Sequence, residues 1–124
     1  MPLTPDPYHG KYLITGYQEN SVLINNSPYQ NTLIIGKNTL ITDSLPATLE
    51  ILNENHLTPL LELKSKLILI GTGKTTKPLP PKLITHLHQQ GIGVEVMDTI
   101  AACRTLTLLL SEDRDAYAML FFDK

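Results

Sequence analysis

The stretch LILIGTGKTTK, residues 67–77, places two glycines around Thr72, followed by Lys74 and two more threonines. Backbone N–H groups at a glycine turn, a lysine and nearby hydroxyls are the components of a phosphate cradle. The spacing excludes the common nucleotide versions. A Walker loop, G-x-x-x-x-G-K-[ST], needs its first glycine where Ile68 stands, inside an apolar run. The dinucleotide pattern G-x-G-x-x-G can begin with Gly71 and Gly73, but it meets Thr76 at its third glycine. Pro78, Pro80 and Pro81 also delay any helix that would present its N-terminus at Lys74. What survives is a tight Gly-Thr-Gly turn at the carboxyl end of a strand, where open α/β sheets collect ligands.

A second set of polar residues lies at Asp98, Thr99 and Arg104. Asp98 or Thr99 can cap the helix that follows, and Arg104 points back toward that helix's N-terminus. If the strands before the two loops are neighbours, the loops meet at one sheet edge. Gly71, Thr72, Gly73, Lys74, Asp98, Thr99 and Arg104 then form a ligand site for a phosphate or carboxylate. The same residues also fit an architectural arrangement, with Asp98 capping and Arg104 paired to Asp98 or to loop carbonyls. Both readings stand at the level of sequence.

Other reactive residues are less well placed. His86 and His88 are two apart, so on a helix they face different sides and do not make a metal pair. Cys103 sits between Ala102 and Arg104, which suits a small core residue better than an activated thiol. The run Glu112-Asp113-Arg114-Asp115 reads as a solvated turn, and no Ser-His-Asp set can be assembled from neighbouring segments. No catalytic residue, cofactor or metal is expected.

These side chains must be positioned by two unlike halves. Residues 12–17, 21–24, 30–35 and 39–43 are short β segments separated by turn residues, which predicts an antiparallel meander. Helix-forming material fills residues 46–65, with Leu57, Leu60 and Leu61 on one face. Pro59 belongs either to the first turn of a helix capped by Asn55 or Thr58, or to a kink in a longer one capped by Asn53. Strands are expected over residues 66–70, 93–97 and 116–122, with helices from Pro80 to Gly91 and over 98–112. This second half is a β-α-β-α-β unit. Residues 1–10, with their prolines, are expected to form a loose arm.

The chain has 124 residues, 42% of them apolar and 18% charged, which suits a single domain with one core, residues 1–124. No run is apolar and long enough to span a membrane, and MPLTPDPYHG lacks the basic start and apolar core of a signal peptide. A net charge of −2 without a basic stripe predicts no nucleic-acid partner. One cysteine allows no internal disulfide and suits a reducing compartment, so the cytoplasm is expected.

The second half resembles the Mth938-like family. The likeness rests on Gly71-Thr72-Gly73, Gly91-Ile92 leading into Val94-Glu95-Val96, Asp98-Thr99, Ala102, Arg104-Thr105, Glu112 and Arg114. SVLINNSPYQNTLII extends it more loosely into the first half. Leu106, Thr107 and Asp113 depart from the aromatic, asparagine and glycine usual in the family. The resemblance implies a three-layer α/β fold: a mixed central sheet with helices, plus an N-terminal antiparallel β layer. The family includes a mitochondrial assembly factor for respiratory complex I. A non-catalytic role in protein binding or assembly is therefore one expectation. An anionic-ligand binder or enzyme at the two loops is the second, and a structural homo-oligomer the third.

Overall fold

A computed structural model describes residues 8–123; most of the expected N-terminal arm, residues 1–7, lies outside them. Among the described residues, eight strands form two sheets. β1 (Ile14–Gln18), β2 (Ser21–Ile24) and β3 (Ser27–Tyr29) make a small antiparallel sheet in that order. β4 (Leu33–Ile35), β5 (Leu40–Ile41), β6 (Leu67–Gly71), β7 (Gly93–Met97) and β8 (Tyr117–Leu120) make a five-stranded sheet in the order β5-β4-β8-β6-β7. β6 runs parallel to both β7 and β8, while β4 is antiparallel to β5 and β8, so the sheet is mixed. The helices are α1 (Thr58–Glu62), α2 (Pro81–Gln89) and α3 (Thr99–Ser111).

Side-chain alternation along the central strands divides the core into two halves. Leu69, Ala118, Leu120, Leu33 and Ile35 face α3 together with Val22 and Ile24 of the small sheet. Ile68, Ile70, Ile34, Met119 and Phe121 face α1 and α2 on the other side. The result is three layers: α1 and α2, the five-stranded sheet, then α3 with the small sheet. Tyr8, which falls within the expected arm, packs against the α3 side of the core.

Two elements differ from expectation for local reasons. Residues 25–28 were expected to be a turn, yet only Asn25 and Asn26 turn the chain, with φ of 50° and 67°. Asparagine tolerates this left-handed backbone, and two such residues suffice for a hairpin. Ser27 and Pro28 are thereby free to pair in β3, an edge strand that accommodates proline. The expected meander is consequently split, with β4 and β5 joining the large sheet.

The 46–65 segment contains two 3-10 turns, Leu49–Ile51 and Glu54–Leu57, before the five-residue α1. Asn53 starts the second turn, its side chain accepting from the N–H of Asn55 at 2.9 Å. His56 Nδ1 returns the favour, accepting from the N–H of Asn53 at 3.0 Å. These local bonds compete with a continuous helix.

Leu120→Ala removes a fully buried side chain at the centre of the α3 half-core. It should lower unfolding free energy by about 2–5 kcal/mol in chemical denaturation. Loss under about 1 kcal/mol would place Leu120 outside the packed core.

Candidate functional site

The two glycine- and aspartate-bearing loops do meet. β6 and β7 are paired from Leu67–Gly93 to Gly71–Met97. Bonding continues past the strands: the N–H of Thr72 donates to the Met97 carbonyl and that of Thr99 to the Gly73 carbonyl, each at 2.9 Å. The Thr99 hydroxyl then donates to the Phe121 carbonyl at 2.6 Å and accepts from the N–H of Gly73 at 2.8 Å. One buried hydroxyl thus joins the segments leaving β6, β7 and β8.

Glycine is required in this loop at two places. A Cβ on Gly71 would lie 3.0 Å from the Thr99 Cα and Oγ1, so a side chain there would push α3 off the sheet. Gly73 has φ of +106°, and its missing Cβ leaves the space taken by the Asp123 carboxylate. Thr72 between them is buried, its Oγ1 2.7 Å from the Thr75 carbonyl and accepting from the N–H of Lys77 at 3.0 Å. Asp98 is the helix cap, accepting from the N–H of Ala101 at 2.8 Å.

Charges in the loop are answered from within the chain. The N–H of Lys74 donates to Asp123 Oδ2 at 3.1 Å, and its ammonium pairs with Glu19. Lys77 lies 3.6 Å from Asp123 and 3.7 Å from Glu50. A cavity of about 250 Å³ beside the loop is lined by Glu50, Thr72, Lys77 and Asp123, among others. Gly71, Thr72, Gly73, Lys74, Asp98 and Thr99 are therefore brought to one end of the sheet, where Gly73 and Lys74 meet the Asp123 carboxylate.

Arg104 goes elsewhere. Its Nε donates to the hydroxyl of Tyr17 at 2.9 Å, and the guanidinium lies 5.5 Å from the centre of that ring. The hydrogen bond to Tyr17 holds its pKa above the ordinary arginine value, so it is a permanent cation. It pairs neither with Asp98 nor with a loop carbonyl, the two architectural partners considered for it. Instead it lines a second cavity, about 390 Å³, between β1 and α3.

Tyr17, Leu108, Glu19 and Asp123 were not singled out in the sequence. Tyr17 and Arg104 are 87 positions apart, and Lys74 and Asp123 are 49 apart. No local spacing connects such pairs. Only the exposure of Leu108 had a signal, as a leucine in phase with Arg104 on the helix.

The remaining reactive residues are settled by packing. Burial, with the charge of Asp98, pushes the Cys103 thiol up to about 12. His86 Nδ1 lies 3.3 Å from Glu54, linking α2 to the preceding 3-10 turn. Among the described residues no group of three or more His, Cys, Asp or Glu side chains could hold a metal ion.

Two outcomes follow from this geometry. Thr99→Val should cost about 1–3 kcal/mol and speed amide exchange at Gly73, because a buried N–H loses its partner. Thr99→Ser should keep most of that stability, and equal loss in both variants would remove the hydroxyl from the account. Native Cys103 should react with iodoacetamide at mildly alkaline pH at least a thousandfold more slowly than the denatured chain, since its pKa rises from 9.0 to about 12. Equal rates in a mass-spectrometric time course would mean the thiol is neither buried nor shifted.

Comparison with known proteins gives these features a family context. Residues 14–121 match the family described as "Protein of unknown function (DUF498/DUF598)". Over 55 residues the chain is 40% identical to NADH dehydrogenase (ubiquinone) 1 alpha subcomplex assembly factor 3 of Mus musculus, a match covering 44% of this chain and 30% of that protein. A 13 kDa major membrane protein of Francisella tularensis is 25% identical over 117 residues, covering 93% of this chain and 94% of that one. In structure, a Mth938-like domain of Bordetella pertussis superposes with a TM-score of 0.80 at 21% identity, covering 98% of this chain and 92% of that one. With its two sheets, its α3 docked on the Gly-Thr-Gly turn and a match across nearly its whole length, the chain belongs to the DUF498/DUF598 family and has the Mth938-like fold.

Proposed function

We propose that the chain is a cytoplasmic, non-catalytic domain that binds a protein partner in the assembly of a larger complex. One observation carries this reading: two exposed apolar side chains, Leu108 of α3 and Tyr17 of β1, line one groove apart from the loops. Leu108 is 59% exposed and Tyr17 37%, with Leu13 at 39% just before β1; Ile51, on the first 3-10 turn, is 55% exposed outside this groove. Exposed apolar side chains that share a groove favour contact with another protein. The loop site, by contrast, has the ammonium groups of Lys74 and Lys77 and the N–H of Lys74 engaged by Asp123, Glu19 and Glu50.

The name of the mouse relative concerns assembly, and a role of that kind is consistent with such a face. A lone buried thiol suits a reducing compartment. Among the described residues no helix is long and apolar enough to cross a membrane. The membrane in the Francisella protein's name is a property of that protein.

A second reading has one observation in its favour. Asp123 occupies the space over Gly73 and accepts from Lys74, so this loop can hold a carboxylate. An external anion at Gly71, Thr72, Gly73, Lys74, Asp98 and Thr99 would have to displace it. Arg104 would act from its own cavity.

Replacing Leu108 by a photo-crosslinking amino acid, at native expression level, tests the first reading. One stoichiometric protein adduct is expected from position 108, and none from the same group at Lys82 on α2. No adduct at 108, with Asp123→Asn protein stabilised by millimolar phosphate or citrate in thermal unfolding, would instead establish the second.

A further inference from the structure

We infer that the groove between β1 and α3 receives an extended segment of a partner protein as an added strand on β1, with a carboxylate of that segment seated on Arg104. This deepens the protein-binding reading, on which it rests, by giving the partner a chemistry.

The walls of the groove carry the argument. One wall is Ile14, Thr15, Gly16 and Tyr17, four consecutive residues of β1. Gly16 has no side chain, so it lines the cavity with backbone atoms. One edge of β1 is unpaired in the small sheet, because β1 is terminal in the order β1-β2-β3 and pairs only with β2. An unpaired strand edge offers N–H and C=O groups to an incoming strand. The bulge between Ile14 and Gly16 interrupts the ladder, leaving residues 16–18 as its regular part.

The opposite wall is Arg104, Thr107, Leu108 and Ser111. Their spacing of i, i+3, i+4 and i+7 makes them one stripe of α3, all exposed, running about 10 Å. About three residues of extended chain cover that length. The cavity between these walls measures about 390 Å³.

The polar groups of the groove select what can lie in it. Thr107 donates to the Cys103 carbonyl at 2.8 Å, and Ser111 to the Leu108 carbonyl at 2.7 Å, so both hydroxyls are satisfied within the helix. Arg104 is different. Tyr17 holds its Nε, with the guanidinium carbon 5.5 Å from the ring centre, while among the described residues it forms no salt bridge. Its two terminal nitrogens keep donors in a fixed fork, the geometry that matches a carboxylate. Tyr17 and Leu108 supply the apolar contacts beside it. With the whole chain at −2, the attraction is local to Arg104 rather than a long-range field.

The test begins with a phage-displayed library of short random peptides panned on the whole chain. Selected peptides are then measured by fluorescence anisotropy. Peptides with an apolar residue at constant spacing from an acidic side chain or a free C-terminus are expected, and amidating the terminus or replacing the acid by its amide identifies the carboxylate. Arg104→Gln should weaken binding about tenfold or more, with Arg104→Lys in between. N-methylation of a peptide amide facing β1 should do the same, and the amides of residues 16–18 should shift in NMR spectra. Arg104 is exposed, so these variants fold, which circular dichroism confirms.

No enrichment over an Arg104→Gln, Leu108→Glu double variant would overturn the inference. So would affinities indifferent to N-methylation, or a self-association dissolved by Leu108→Glu, which would place a second copy in the groove. A partner cross-linked at position 108 with affinity unchanged by Arg104→Gln would also overturn it while leaving the protein-binding reading intact. Absence of any partner would remove both.

Discussion

The side-chain hydroxyl of Thr99 is the point at which the central sheet closes. It donates to the chain leaving β8 and accepts from the chain leaving β6, while its own backbone follows β7. Because it is buried, no water can replace either bond, and each unmade partner would carry its full desolvation cost. Gly71 allows the first turn of α3 to come this close, and Asp98 holds that turn by its cap. The position and tilt of α3 descend from this cluster.

From there α3 organises one whole side of the molecule. Its inner residues Ala102, Cys103, Leu106, Leu109 and Leu110 pack on the sheet and on β2, which fastens the small sheet to the large one. Its outer stripe is then left facing the edge of β1 rather than open solvent on all sides. The groove is a consequence of packing an amphipathic helix into the angle between two sheets that do not share a strand.

The two candidate regions differ in how their charges are satisfied. At the Gly71–Met97 end of the sheet, Asp123 and Glu19 meet the N–H and ammonium groups of Lys74, so that lysine has its partners within the chain. In the groove, Tyr17 orients the Arg104 guanidinium without neutralising it. Hydrogen bonding by a neutral phenol fixes the geometry of a cation without making an ion pair with it, and the Asp98 carboxylate acts on it only from a distance. Exposed Leu108 beside it adds apolar area that is lost from water only when something covers the groove.

The sequence by itself determined the β-α-β-α-β half. Continuous apolar runs, Pro80-Pro81 at one helix start, Gly91 after its end and the Asp98 cap are local signals, each acting within a few residues. It also placed Gly71, Thr72, Gly73, Lys74, Asp98 and Thr99 at one sheet edge, because parallel neighbours bring their loops together. Tertiary structure alone decided the split of the expected meander between two sheets, since pairing energy is similar for any strand partner and burial chooses among them. It alone also sent Arg104 to Tyr17 and Lys74 to Glu19 and Asp123. A long charged side chain has many rotamers of nearly equal energy, and its partner is whichever group the fold brings within reach, however distant in sequence.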